Sequence, residues 1–117
     1  MAKTSKKTIK VVYNNKGQLD IKEVEAKKFD VLIIDDKIIN LYIYRDINNK
    51  KWMITEESTG LLLKGGFKNT IEARNQYEKY IKDRVIALIK NHYNIYLKAI
   101  KQFNEILNNK NWYIYYK

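Results

Sequence analysis

This chain contains no cysteine and no proline, only four glycines and a single histidine. Without cysteine there can be no disulfide framework and no thiolate metal site, which is compatible with a cytoplasmic setting. No apolar run approaches the ~20 residues that span a bilayer, and the basic start MAKTSKKTIK is followed by no apolar h-region, so the chain reads as soluble. Beyond Gly66 neither proline nor glycine interrupts the sequence, so the C-terminal half has no built-in helix breaker. With one histidine, His92, and no nucleophile paired to it in sequence, covalent catalysis has little support.

What is present is lysine, isoleucine, asparagine and tyrosine, together 60 of the 117 residues. These have A+T-rich codons, so a low-GC bacterium or its phage is the natural source. The length fits one domain. Net charge is +10, unevenly placed: residues 1–17 carry five lysines and no acid, 18–67 are near neutral, and 68–117 carry ten basic and four acidic residues. Such a field favours polyanions and also keeps a protein in solution. Twenty of the 23 basic residues are lysine, a point charge. Only Arg45, Arg74 and Arg84 offer the planar fork that reads a base edge, so contact with phosphate is favoured over sequence readout.

The stretch Lys51 to Ala73 orders the architecture. Trp52, Ile54 and Glu56 alternate with Met53 and Thr55 like a half-buried strand. Ser58-Thr59-Gly60 reads as a turn, with Gly60 able to take positive φ. Leu61-Leu62-Leu63 returns as a strand ended by Gly65-Gly66, and Asn69 with Glu72 forms a capping-box-like helix start. Upstream, 1–7 reads as a basic disordered tail and 8–117 as a single domain. Thr8 to Tyr13, Phe29 to Ile34 and Ile38 to Asp46 read as strands, with turns at Asn14 to Gly17, Asp35 to Lys37 and Asn48-Asn49. Leu19 to Ala26 fits either a strand ending in a bulge near Glu25 or one helical face. The expected fold is α+β: an antiparallel meander of four to five strands, a long C-terminal helix or helical hairpin, and a short aromatic terminal strand at Trp112 to Tyr116.

Helical projection from Thr70 puts Tyr77, Ile81, Val85, Leu88, His92, Ile95, Ala99, Phe103 and Ile106 on one face. A straight helix to Leu107 would run ~57 Å, against ~17 to 20 Å for a typical strand, so the sheet cannot cover it. Either the helix turns near Asn91 to Asn94 and folds back, or a partner covers it. Under the second alternative Tyr93, Tyr96, Ile100, Phe103, Leu107, Trp112, Tyr113, Tyr115 and Tyr116 form the interface of a homodimer.

For chemistry, Asp35-Asp36 and Glu56-Glu57 read as acidic hairpin ends, and Glu25-Ala26-Lys27 lacks the partner a metal-dependent nuclease needs. No metal, cofactor or enzymatic activity is expected. Lys79, Lys90 and Lys101 recur every eleven residues, on one side of a continuous helix and ~16 Å apart, with Lys82 and Lys98 flanking them. Such a row can follow a phosphate backbone, and it is equally the solvated face that any packed helix needs. Tyr42 and Tyr44, alternating on the outer sheet face, are candidates to stack bases.

At Trp52-x-Ile54-Thr55, Thr59-Gly60-Leu61 and Thr70-x-x-Ala73 the chain resembles small phage and mobile-element proteins in which strand, Thr-Gly turn and strand lead into a helix. Anti-CRISPR inhibitors of host defence nucleases are among the compact proteins of this source. Many of these are acidic DNA mimics, and the +10 charge departs from that pattern. The resemblance implies a non-catalytic protein that engages a nucleic acid or a host nucleoprotein machine. The alternative from a different class is a protein-only assembly module acting through the aromatic C-terminal region.

Overall fold

The structure, a computed structural model, describes the backbone of residues 6–115 and the side chains of that span except those of 14, 15 and 108–115. Five antiparallel strands, β1 (Lys6–Asn15), β2 (Gln18–Ile34), β3 (Lys37–Arg45), β4 (Trp52–Glu56) and β5 (Leu62–Phe67), lie in sequence order in one sheet. The first two hairpins turn on two residues each, Lys16-Gly17 and Asp35-Asp36, all with positive φ. Paired left-handed residues match the twist of the flanking strands, and aspartate tolerates that region better than most side chains. β1 begins at Lys6, so two residues assigned to the tail belong to the sheet, and Lys7 pairs with Glu57 at 2.7 Å.

The two segments Leu19 to Ala26 and Phe29 to Ile34 are one continuous strand. Residues up to Lys27 of β2 pair with β1, residues from Lys27 onward pair with β3, and the register slips between Lys28 and Asp30. The extra residue, Phe29, makes a β-bulge, which bends the strand and raises its twist. The β1–β2 hairpin is thereby carried over the outer face of β3 and β4. Ile9, Val11 and Ala26 form a second core there with Tyr42 and Tyr44. These two tyrosines, expected on an open face, are only 5% and 6% exposed and cannot stack on a base.

The first core lies on the opposite face. Leu32, Ile34, Ile39, Leu41, Ile43 and Ile54 meet Ala73, Tyr77, Val85 and Ile89 of the helices. Each large apolar side chain buried there contributes about 1.5 to 3 kcal/mol. The helix starts as its sequence indicates: Asn69 Oδ1 accepts from Glu72 N at 2.7 Å, and Glu72 Oε2 accepts from Lys68 N at 2.6 Å. It runs as α1 (Thr70–Gln76), a π-helical turn (Tyr77–Ile81) and α2 (Lys82–Asn91). The π turn closes with Lys82 N donating to Tyr77 O. One extra residue per turn moves everything after it by about 100° relative to a regular helix. Ile89 therefore joins Tyr77 in the core, and Leu88, expected inside, is 61% exposed.

At His92 the backbone leaves helical geometry, with φ −129° and ψ 44°, and α3 (Tyr93–Tyr115) begins. A straight helix from Thr70 to Tyr115 would run about 68 Å, whereas the fold's longest dimension is 45 Å. The helix therefore turns at His92 instead of continuing straight, and α3 runs back onto the sheet, touching β2. His92 is exposed and not part of an apolar stripe. The backbone of Trp112 to Tyr115 continues α3, so the terminal aromatic strand expected there is replaced by helix over those residues; Tyr116 lies outside the described residues.

Candidate nucleic-acid interface

The return of α3 is fixed at the turn between β4 and β5. Glu56, 3% exposed, accepts from Ser58 N at 2.7 Å and Ser58 Oγ at 2.6 Å through Oε2, and from Thr59 N at 3.0 Å through Oε1. A serine hydroxyl has one proton, and Glu56 takes it. The 2.7 Å bond between Ser58 and Tyr96 is therefore donated by the Tyr96 hydroxyl. Gly60 O accepts from Val12 N at 2.8 Å, which ties β1 to the same turn, and the ring of Phe103 lies against Gly60.

Of the residues expected at a homodimer interface, Phe103 is buried within its own chain, and Tyr96 bonds Ser58. Tyr93 lies 5.9 Å from Tyr96 and beneath the ammonium of Lys37 at 4.5 Å. Ile100 and Leu107 are half-buried. Of this apolar arc the chain buries Phe103 fully and Tyr93, Tyr96, Ile100 and Leu107 in part. The side chains of Trp112, Tyr113 and Tyr115, and all of Tyr116, lie outside the described residues.

Burial pushes the Tyr96 phenol up to about 12, and burial followed by the 2.6 Å bond to Asp30 raises that of Tyr77 further. A phenol whose folded pKa exceeds its unfolded value stabilises the fold while it is protonated. That contribution is complete below pH 10 and falls away as pH rises through about 12. We expect the urea midpoint to drop over this window, with a smaller drop in Tyr96→Phe; a pH-independent midpoint in wild type would contradict it.

The five lysines of the phosphate-binding expectation occupy different settings. Lys79 lies in the π turn beside the Tyr80 ring at 5.3 Å, Lys90 in the last turn of α2, and Lys98 and Lys101 on α3. Lys82 reaches Asp30 at 3.9 Å and Glu78 at 3.8 Å. The eleven-residue row does not survive as one line: the π turn shifts Lys79 relative to Lys90, and the break at His92 redirects Lys101. Lys98 and Lys101 remain neighbours, three apart on one helix. Lys79, Lys90, Lys98 and Lys101 are all exposed, and no carboxylate among the described residues lies within ion-pair distance of them. No three His, Cys, Asp or Glu side chains gather as metal ligands among the described residues, and no helix there is long and apolar enough to cross a membrane.

A cationic feature not anticipated lies where the bulge of β2 faces α1. An open cleft of about 340 Å³ is lined by Lys28, Phe29, Ile43, Thr70, Ile71, Arg74 and Asn75. The Arg74 guanidinium lies 3.8 Å above the Phe29 ring and donates from Nη2 to Phe29 O at 2.8 Å. Phe29 in turn meets Tyr77 edge to face, with centroids 5.0 Å apart. The scarcity of arginine singles Arg74 out in the sequence, but its partners are brought to it only by the fold. Comparison with protein-family models, curated proteins and solved structures finds no match to this chain in any of the three.

Proposed function

We propose that this chain is a non-catalytic binding protein that holds a nucleic acid, alone or within a nucleoprotein assembly, through the lysines of its helical half. The observation that carries this reading is the set of exposed cations, Lys79, Lys90, Lys98 and Lys101, without a carboxylate partner among the described residues. Unneutralised surface lysines gain from displacing the counterions of a polyanion, whereas Lys82 shares its charge with Asp30 and Glu78. Lysine contacts position a backbone without reading bases, so weak sequence preference is expected. In a phage or mobile-element setting, a basic protein of this kind would act on a host defence nuclease by engaging its guide RNA or its protein surface.

The test is a titration of Lys90→Ala/Lys98→Ala/Lys101→Ala against wild type over a range of salt. Each lost phosphate contact should lower the log–log salt slope by about 0.7 to 0.9. Equal affinity of the two proteins at every salt concentration would sink this assignment. A protein-only partner is the second reading, favoured by Leu88 and Ile95, exposed at 61% and 63%. Capture from a host extract with and without nuclease separates the two, since only a nucleic-acid bridge is lost on digestion.

A further inference from the structure

The cleft between the β2 bulge and α1 carries a more specific reading than the lysines do, and it rests on the nucleic-acid reading just given. Its volume, about 340 Å³, is at the low end of what small-molecule sites enclose. It has room for one nucleotide and none for a duplex. Two of its lining side chains, Lys28 and Arg74, are cationic, and none is a carboxylate. The two acids adjacent in sequence to lining residues are engaged elsewhere: Asp30 Oδ1 accepts from Val31 N at 2.8 Å and its Oδ2 accepts from Tyr77 and faces Lys82, while Glu72 Oε2 accepts from Lys68 N at 2.6 Å. An anionic group is the complement of this lining.

The geometry of Arg74 distinguishes a nucleotide from a bare phosphate. Its guanidinium carbon sits 3.8 Å from the centroid of the Phe29 ring, and one of its N–H groups is anchored to Phe29 O. The plane is thus fixed before any ligand arrives, so little further side-chain freedom is lost on binding. Arg74 is itself exposed and lines the cleft, so its guanidinium can be reached from there and from solvent. Unpaired bases stack on such guanidinium planes, and a paired base within a duplex cannot. Ile71, 72% exposed at the rim above the buried Phe29 and Ile43, offers apolar contact to a base or sugar that a phosphate alone would not use. Thr70 and Asn75 supply a hydroxyl and an amide beside it.

We infer that this cleft binds one unpaired nucleotide of a single-stranded nucleic acid, its base stacked on Arg74 and its phosphate against Lys28. The chain is then a single-strand binder: the helical lysines attract the backbone, and the cleft selects the unstacked base.

Arg74→Lys retains the charge and removes the plane, so it separates stacking from electrostatics. Anisotropy titrations with one labelled oligonucleotide, single-stranded and as its duplex, should show wild type preferring the single strand. Arg74→Lys should lower single-strand affinity roughly tenfold, the size of one lost base stack, and leave duplex affinity and the salt slope unchanged. In wild type, adenosine or uridine 5′-monophosphate at millimolar concentration should shift the amide signals of Phe29, Ile71 and Asn75. That measurement stands even if Arg74→Lys folds poorly. Equal binding of both strand forms by wild type, an Arg74→Lys variant matching wild type on the single strand, or unmoved amides would each overturn the cleft assignment while leaving polyanion binding intact. Absence of binding to either form would overturn both.

Discussion

Gly60→Val is expected to destabilise the domain by about 2 to 5 kcal/mol, combining a left-handed backbone cost of about 1 to 2 with overpacking of about 1 to 3. Gly60 has φ +65°, and a Cβ there would lie 2.7 Å from Phe103 Cε1 and 3.0 Å from Lys10 O. Neither neighbour can yield easily, because Phe103 is buried and Lys10 O belongs to the backbone of β1. Gly17 is the internal control: its φ is +90°, yet nothing lies within 4 Å of a Cβ built on it. Gly17→Ala therefore measures the dihedral cost alone, and the excess of Gly60→Ala over it measures the close approach. Urea unfolding followed by circular dichroism decides. Equal losses in the two alanine variants would show that Phe103 does not press on the turn.

Glu56→Ala is the second large effect, about 3 kcal/mol or more, since each buried donor left unpaired costs about 1 to 3. The substitution removes the acceptor of Ser58 N, Ser58 Oγ and Thr59 N together, at a turn where Thr59 is itself buried. Glu56→Gln keeps the shape and one acceptor oxygen, and its loss should be intermediate. It also frees the Ser58 proton, so the bond to Tyr96 is no longer directed one way. A Glu56→Ala variant within about 0.5 kcal/mol of wild type, the range of an ordinary surface change, would show that water replaces the carboxylate.

The local signals in the sequence were sufficient for the strand meander and the helix start. Asn69 with Glu72, Asp35-Asp36 and Gly17 act through bonds and dihedrals within a few residues, and each appears where its chemistry puts it. What was hidden is non-local. Tyr42 and Tyr44 alternate as an exposed face would, and only the bend at Phe29 brings the β1–β2 hairpin over them. The π turn adds a residue that no helical projection includes, which places Leu88 outside the core the projection gives it, and the break at His92 redirects Ile95 in the same way. His92 breaks the helix without proline or glycine, and the contacts that follow the break, Tyr96 on Ser58 and Phe103 on Gly60, lie too far away in the chain for a local signal to announce them. For the candidate site, exposed lysines were legible as residue types. The cleft was not, since Phe29 and Arg74 are 45 residues apart in the chain.

The turn that receives β1 and α3 has a consequence for the order in which the molecule forms. The β-hairpins close over a few residues, whereas Ser58 meets Tyr96 across 38 positions and Lys7 meets Glu57 across 50. Closing long loops costs entropy before any contact offsets it, so such contacts tend to come after local pairings. The barrier to folding is then crossed with the hairpins in place and the turn still unvisited by α3. Losses at a site that matures late fall on the unfolding rate. Phe103→Leu, which alters only the α3 side of this contact, should accordingly shorten the lifetime of the native state in stopped-flow unfolding while refolding proceeds at nearly the wild-type rate, making the return of α3 the latch that sets how long the domain stays closed.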